Sequence, residues 1–293
     1  MWQLSLAIFL ALIVAQTLIK RRLAVSSDTP ESIPSLVSYL IGVLPLGIIV
    51  GLMIPHHVIW SWGLVGLLLL QGGTIALFGT LSLKAFKILP ASHFQTLFQV
   101  NSVIVILLGW SVLGEKLTMM QLIGGSLLLV AAYLAIWAPA RAHRSGAKPI
   151  ANFRMGAVLT IVSAMSLGIG LIAEKAALQH MDLGAYFIYG FAAQTLFLGL
   201  LAIPDLRSTA LRSVPKTVIK QSAIFGLVSS GVGFSYLYTL AQADNISLVI
   251  ALRSLVLPLT AVAAHYLLKE RDDNRLLWLA MFFAVAGVSI TAL

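Results

Sequence analysis

The chain contains no cysteine, which excludes a disulfide framework, a thiolate metal site and S-acylation. Charge is scarce as well. Only 10% of the 293 residues are charged against 59% hydrophobic, too little polar surface to cover a water-soluble domain of this length. Acidic residues are scarcer still: there are ten, and each falls in a connection or at the end of an apolar run. An intramembrane aspartyl protease needs two carboxylates deep in the bilayer, so that class is excluded. A G-x-x-x-x-G-K-[ST] phosphate loop and an H-E-x-x-H are both missing, which removes ATP hydrolysis through a Walker site and zincin chemistry. The six histidines are scattered. No metal site, no cofactor and no enzymatic activity are expected.

What the sequence does contain is apolar runs. Ten of them, at 2–19, 34–54, 60–81, 90–113, 118–137, 155–178, 184–203, 217–242, 246–268 and 276–292, are long enough to cross a hydrocarbon core of ~30 Å as helices. The first is read as a retained span, because Lys20, Arg21 and Arg22 follow it and no basic region precedes it. The expectation is an all-α integral membrane protein.

The runs repeat. Moving the first half forward by 155 residues lays its segments on those of the second without gaps, and charged landmarks follow: Lys20 falls on Lys175, Glu115 and Lys116 on Glu270 and Arg271. Each half holds an odd number of segments, so the second copy enters the membrane in the opposite sense. This predicts ten transmembrane helices as two inverted-topology five-helix repeats, 1–138 and 155–293. A cytoplasmic linker at 139–154, rich in basic residues and carrying Pro139, Gly146 and Pro149, joins them.

The net charge of +9 is a topology signal rather than a nucleic-acid footprint. Sixteen of the nineteen Lys and Arg lie in or at the edge of the connections after the odd-numbered segments. Lys116 and Lys175 lie on the other side, and Arg253 lies inside a segment. Short basic loops stay cytoplasmic, so both termini are expected on the non-cytoplasmic side of a cell (inner) membrane.

Candidate site residues follow from polarity inside the segments. Arg253 sits about seven residues into the ninth, roughly 10 Å deep at 1.5 Å per residue, where a guanidinium needs a partner or a wet cavity. Two readings stand for it: a fork for a substrate carboxylate or phosphate, or a structural arginine that snorkels or bonds helix-end carbonyls or Glu174. On the fourth segment Ser92, Gln95, Gln99 and Ser102 share one helical face, and Ser254 falls opposite Gln99 in the repeat. That face either lines a cavity or glues helices together. Gln71 and Tyr236, beside runs of small residues, are within reach of a ligand, and Tyr39 and Gln194 are repeat-related polar positions. Glu174 and Lys175 read either as a solvated helix end or as a gate or coupling pair.

Each half resembles the EamA-type repeat of the drug/metabolite transporter superfamily. The resemblance is carried by Leu113-Gly114-Glu115-Lys116-Leu117-Thr118 followed by Gln121-Leu122-Ile123-Gly124-Gly125, and more loosely by Leu268-Lys269-Glu270-Arg271 followed by Ala286-Gly287-Val288. The resemblance implies a secondary or facilitative carrier of a small metabolite, amino acid or drug, working by alternating access, with segments 5 and 10 peripheral or dimer-forming. It also implies structural roles for Glu115 and Glu270. Members of that family commonly keep both termini in the cytoplasm, whereas the loop charges here say the opposite. Alternatives from other classes are a flippase for a lipid-linked or phosphate-bearing substrate and a non-transporting scaffold. The expected partners are a small-molecule solute, anionic on the first reading of Arg253, and the lipid bilayer, with no nucleic acid, in a monomer or homodimer. An alkaline phosphatase fused after Leu293 is expected to be active and a green fluorescent protein there dark; the reverse pattern would overturn the topology read from the charges.

Overall fold

Backbone N–H and C=O groups in hydrocarbon must be bonded within their own segment or in a closed barrel, and the apolar runs satisfy them as helices. The structure is a computed structural model that describes residues 2–26, 28–114, 116, 118–144, 151–208, 214–242, 256–268 and 275–291. Its helices are α1 (Trp2–Val25), α2 (Ser32–Ser38), α3 (Leu44–Met53), α4 (Trp62–Ile88), α5 (Ala91–Phe98), α6 (Val100–Leu113), α7 (Met119–Arg144), α8 (Phe153–Ala177), α9 (Leu183–Ser208), α10 (Lys216–Gln242), α11 (Val256–Leu267) and α12 (Arg275–Thr291). A π-helical turn, Tyr39–Val43, joins α2 to α3. Among the described residues six stretches are long and apolar enough to cross a membrane: Ser32–Met53, Trp62–Ile88, Ala91–Leu113, Met119–Trp137, Phe153–Ala177 and Leu183–Ser208.

Local signals explain several boundaries. Ser61 caps α4, its hydroxyl accepting from the Leu64 N–H at 3.1 Å. Gly114, at φ 68°, ends α6 in the left-handed conformation that glycine adopts without strain. Four helices run past the expected end of their apolar run: α1 to Val25, α4 to Ile88, α7 to Arg144 and α9 to Ser208. Hydropathy ends a segment where charge begins, but helical hydrogen bonding does not stop there. The first residues of the expected linker, 139–144, are therefore helical, in keeping with the helix propensity of Ala140 and Ala142.

Connections gather at two opposite ends. At one, Lys87 pairs with Glu31 at 2.8 Å, Ser32 donates to Asp205 at 2.5 Å and Ser26 donates to Gln221 at 3.1 Å. At the other, Asp182 N–H donates to the His57 carbonyl and Ile59 N–H to the His180 carbonyl, both at 2.9 Å. Consecutive long helices thus run in opposite directions.

The packing pairs recur under the 155-residue shift. The contact of α1 with α10 maps onto that of α8 with α4, α2 with α10 onto α9 with α4, and α6 with α8 onto α11 with α1. Small residues make these approaches close. A Cβ on Gly226 would overlap the Ser38 carbonyl oxygen, and one on Gly72 would lie 2.8 Å from the Ala193 carbonyl carbon. Ser38 and Ala193 are themselves 155 apart. Helices α7 and α12 pack against each other away from this centre, around Leu128, Ala131 and Ala284. Large side chains such as Leu69, Leu70, Leu77, Trp278 and Phe282 are exposed on the outside, as lipid contact requires. Gly226→Val is expected to lower stability by about 1–3 kcal/mol in a detergent melt, by overpacking. Gly66→Ala, where no atom lies within 4 Å, should leave it unchanged; equal melts for both variants would contradict this packing.

Candidate functional site

Four helices, α1, α5, α6 and α10, direct polar stripes inward. On α1 the stripe is Ile13, Gln16, Thr17 and Lys20; on α5 and α6 it is Gln95, Gln99 and Ser102; on α10 it is Ser229, Gly233 and Tyr236. Each follows the i, i+3 or i+4, i+7 spacing of one helical face. Together with α2, α4, α8 and α9 they enclose a cavity of about 320 Å³. Four repeat-related pairs contribute both partners to its wall: Gln16 and Leu171, Tyr39 and Gln194, Phe78 and Gly233, Asn101 and Val256.

The middle of the cavity is a ladder of neutral hydrogen bonds. Gln16 Nε2 donates to Ser229 Oγ at 2.8 Å, which ties α1 to α10. Gln95 Nε2 donates to Thr17 Oγ1 at 2.8 Å, and Gln99 Nε2 reaches the Gln95 carbonyl at 3.5 Å. Gln99 lies at the junction of α5 and α6, where the helix is interrupted. Asn101, also in the wall, donates from Nδ2 to the Ala164 carbonyl of α8 at 2.9 Å, an interhelical bond.

The two ends differ in charge. At the end nearer the basic connections lies Lys20, 7% exposed and part of the wall. Its Nζ donates to Ser82 Oγ at 2.5 Å and stands 4.6 Å from the centre of the Phe78 ring and 5.6 Å from that of Phe225. Among the described residues no carboxylate lies within 4 Å of it. At the other end the Tyr186 hydroxyl accepts from Gln71 Nε2 at 2.6 Å and also bonds Gln194 and the Glu174 carboxylate. Tyr39 lines the wall beside them.

Of the residues singled out from the sequence, Gln95, Gln99, Ser102, Tyr236, Tyr39, Gln194 and Glu174 meet at this one cavity. Gln71 does not reach it; fully buried, it holds Tyr186 from behind. Lys175 is exposed and points away, because successive helical residues are turned by about 100°. Arg253 and Ser254 lie outside the described residues. Sequence reasoning misses two residues of the cavity wall, Lys20 and Tyr186. It groups Lys20 with the loop charges and leaves Arg253 as the only deep cation, because the first apolar run stops at residue 19. The spacing of Gln16, Thr17 and Lys20 on one face is the signal that could find it. Tyr186 has no such signal, its repeat position being Glu31.

Because one hydroxyl serves Glu174, Gln71 and Gln194, Tyr186→Phe is expected to lower the detergent melting stability by about 1–3 kcal/mol, the cost of leaving buried polar groups unsatisfied. A melt unchanged from that of the parent chain would show that the network is not formed.

Residues 1–137 match the model of the EamA-like transporter family. No curated protein matches the chain. Among solved structures 23 chains match, including a crystal structure of a protein that is 15% identical, superposes with a TM-score of 0.65 and covers 98% of this chain and 94% of its own. At that identity the likeness shows a shared fold. Over 137 of its 293 residues the chain is thus similar to the EamA-like transporter family, and over nearly its whole length it shares its fold with a solved structure.

Proposed function

We propose that the chain is a secondary or facilitative carrier for a small organic solute, built as two inverted five-helix repeats, 1–138 and 155–293, that rock around a central cavity. The observation that carries this reading is a cavity walled by both halves, to which four repeat-related pairs each contribute both partners. Inverted repeats around a shared central site are the architecture of alternating access. The recurrence of helix contacts under the same shift supports the symmetry.

The cavity volume, about 320 Å³, suits a metabolite-sized ligand. This favours a soluble solute over the lipid-linked substrate of a flippase. Gln95, Gln99, Ser102, Tyr39, Gln194 and Tyr236 are its proposed contacts, with Arg253 and Ser254 on the ninth segment, while Glu174 is the proposed gate or coupling group. Helices α7 and α12, which pack on each other and add only Val288 to the wall, are peripheral. The protein is proposed to act without a cofactor and to sit in the cell (inner) membrane with both termini outside the cytoplasm.

Gly233 faces the cavity with no neighbour closer than 4.0 Å to an added Cβ. Gly233→Trp is expected to fill the space and reduce flux of transported solutes in proteoliposomes at least tenfold, with melting unchanged. A panel of organic acids, amino acids, nucleosides and amines supplies the solutes. Undiminished flux in the folded variant would remove the cavity from the transport path, and no flux of any class by the parent chain would favour the scaffold reading.

A further inference from the structure

Lys20 is not placed like a lysine that serves the fold. A buried ammonium is costly unless it is paired, and its neighbours compensate only in part: one serine hydroxyl and two ring faces. A snorkelling lysine would reach out to the polar face. Its neighbour Arg21 does turn to a helix end, bonding the Phe86 carbonyl. Lys20 instead bonds inward to Ser82 and lines the cavity.

Aromatic rings surround this end. Phe86 stacks on Phe94 with centroids 3.9 Å apart, Phe94 on Phe98 at 5.3 Å, and Phe98 meets Phe78 at 5.6 Å. All four line the cavity and form one continuous aromatic wall that ends at the ammonium.

The far end sets a second limit. Lys20 is anchored to Ser82 and the Glu174 network to Gln71, both on α4 and eleven residues apart, which is about 16 Å along the axis at 1.5 Å per residue. The amino group of an α-amino acid lies next to its carboxylate and does not span that distance. A dianion with its second charge at the far end would meet Glu174.

We infer that Lys20 is the receptor for the anionic head of the carried solute, and that the solute is an organic monoanion with a flat apolar body, aromatic carboxylates being the simplest examples. This rests on the carrier reading above and adds the substrate class. Its test is binding to the purified full chain in lipid nanodiscs, by calorimetry, with phenylacetate, phenylacetamide, phenylalanine and inorganic phosphate as probes. Phenylacetate is expected to bind at least tenfold more tightly than its amide, phenylalanine no more tightly than phenylacetate, and phosphate weakly. Lys20→Met should abolish the preference for acid over amide, and Lys20→Arg should keep it. The inference is overturned if the parent chain shows no acid preference, if phosphate or phenylalanine outbinds phenylacetate, or if folded Lys20→Met retains the preference. The comparison of acid with amide on the parent chain needs no variant, so the inference stays open to refutation even if Lys20→Met misfolds. Proteoliposome flux measured alongside separates the two claims: flux without acid preference sinks only this inference, whereas acid binding without flux sinks the carrier reading and leaves the receptor in place.

Discussion

Helices in a bilayer gain little from burying apolar surface against one another, because lipid is as apolar as leucine; close backbone approach has to hold them together. Here that approach is made at Ser38 against Gly226 and at Ala193 against Gly72, where there is no room for a larger side chain. These contacts join α2 to α10 and α9 to α4, and so join the two halves of the chain. The inward turn of the polar stripes on α1, α5, α6 and α10 depends on them. Without that closure Gln16, Gln95 and Lys20 would face lipid.

The site has a neutral middle and unlike ends. Its hydrogen-bond ladder uses glutamines, serine and threonine, which can exchange partners at little cost when helices shift. Among the described residues the charges in the wall sit where the cavity approaches its ends, Lys20 toward the basic connections and Glu174 toward the other face. A solute with one negative charge therefore has a preferred orientation inside.

Much of the fold is legible in the sequence because its signals are one-dimensional. Apolar length gives the helices, and the spacing of Gln95, Gln99 and Ser102 gives one wall of the cavity without any knowledge of packing. Tyr39 and Gln194 are found through the duplication alone. What hydropathy misplaces are helix ends, since Lys20 ends an apolar run without ending α1. Gln71 is misjudged for a different reason: residues next to small-residue runs face either a ligand or a neighbouring helix, and only packing tells which. Tyr186 lies near the start of α9 in an aromatic-rich stretch, and nothing in its sequence neighbourhood distinguishes it from the phenylalanines around it.

The absence of cysteine makes the central claim directly measurable, because any thiol introduced into the chain is the only one present. Ser102→Cys places that thiol in the cavity wall. Its reaction with a membrane-impermeant maleimide should be measured in right-side-out and in inside-out vesicles, with and without a transported solute. Alternating access predicts labelling from both sides, with solute shifting the ratio between them. Labelling confined to one side under every condition would contradict it.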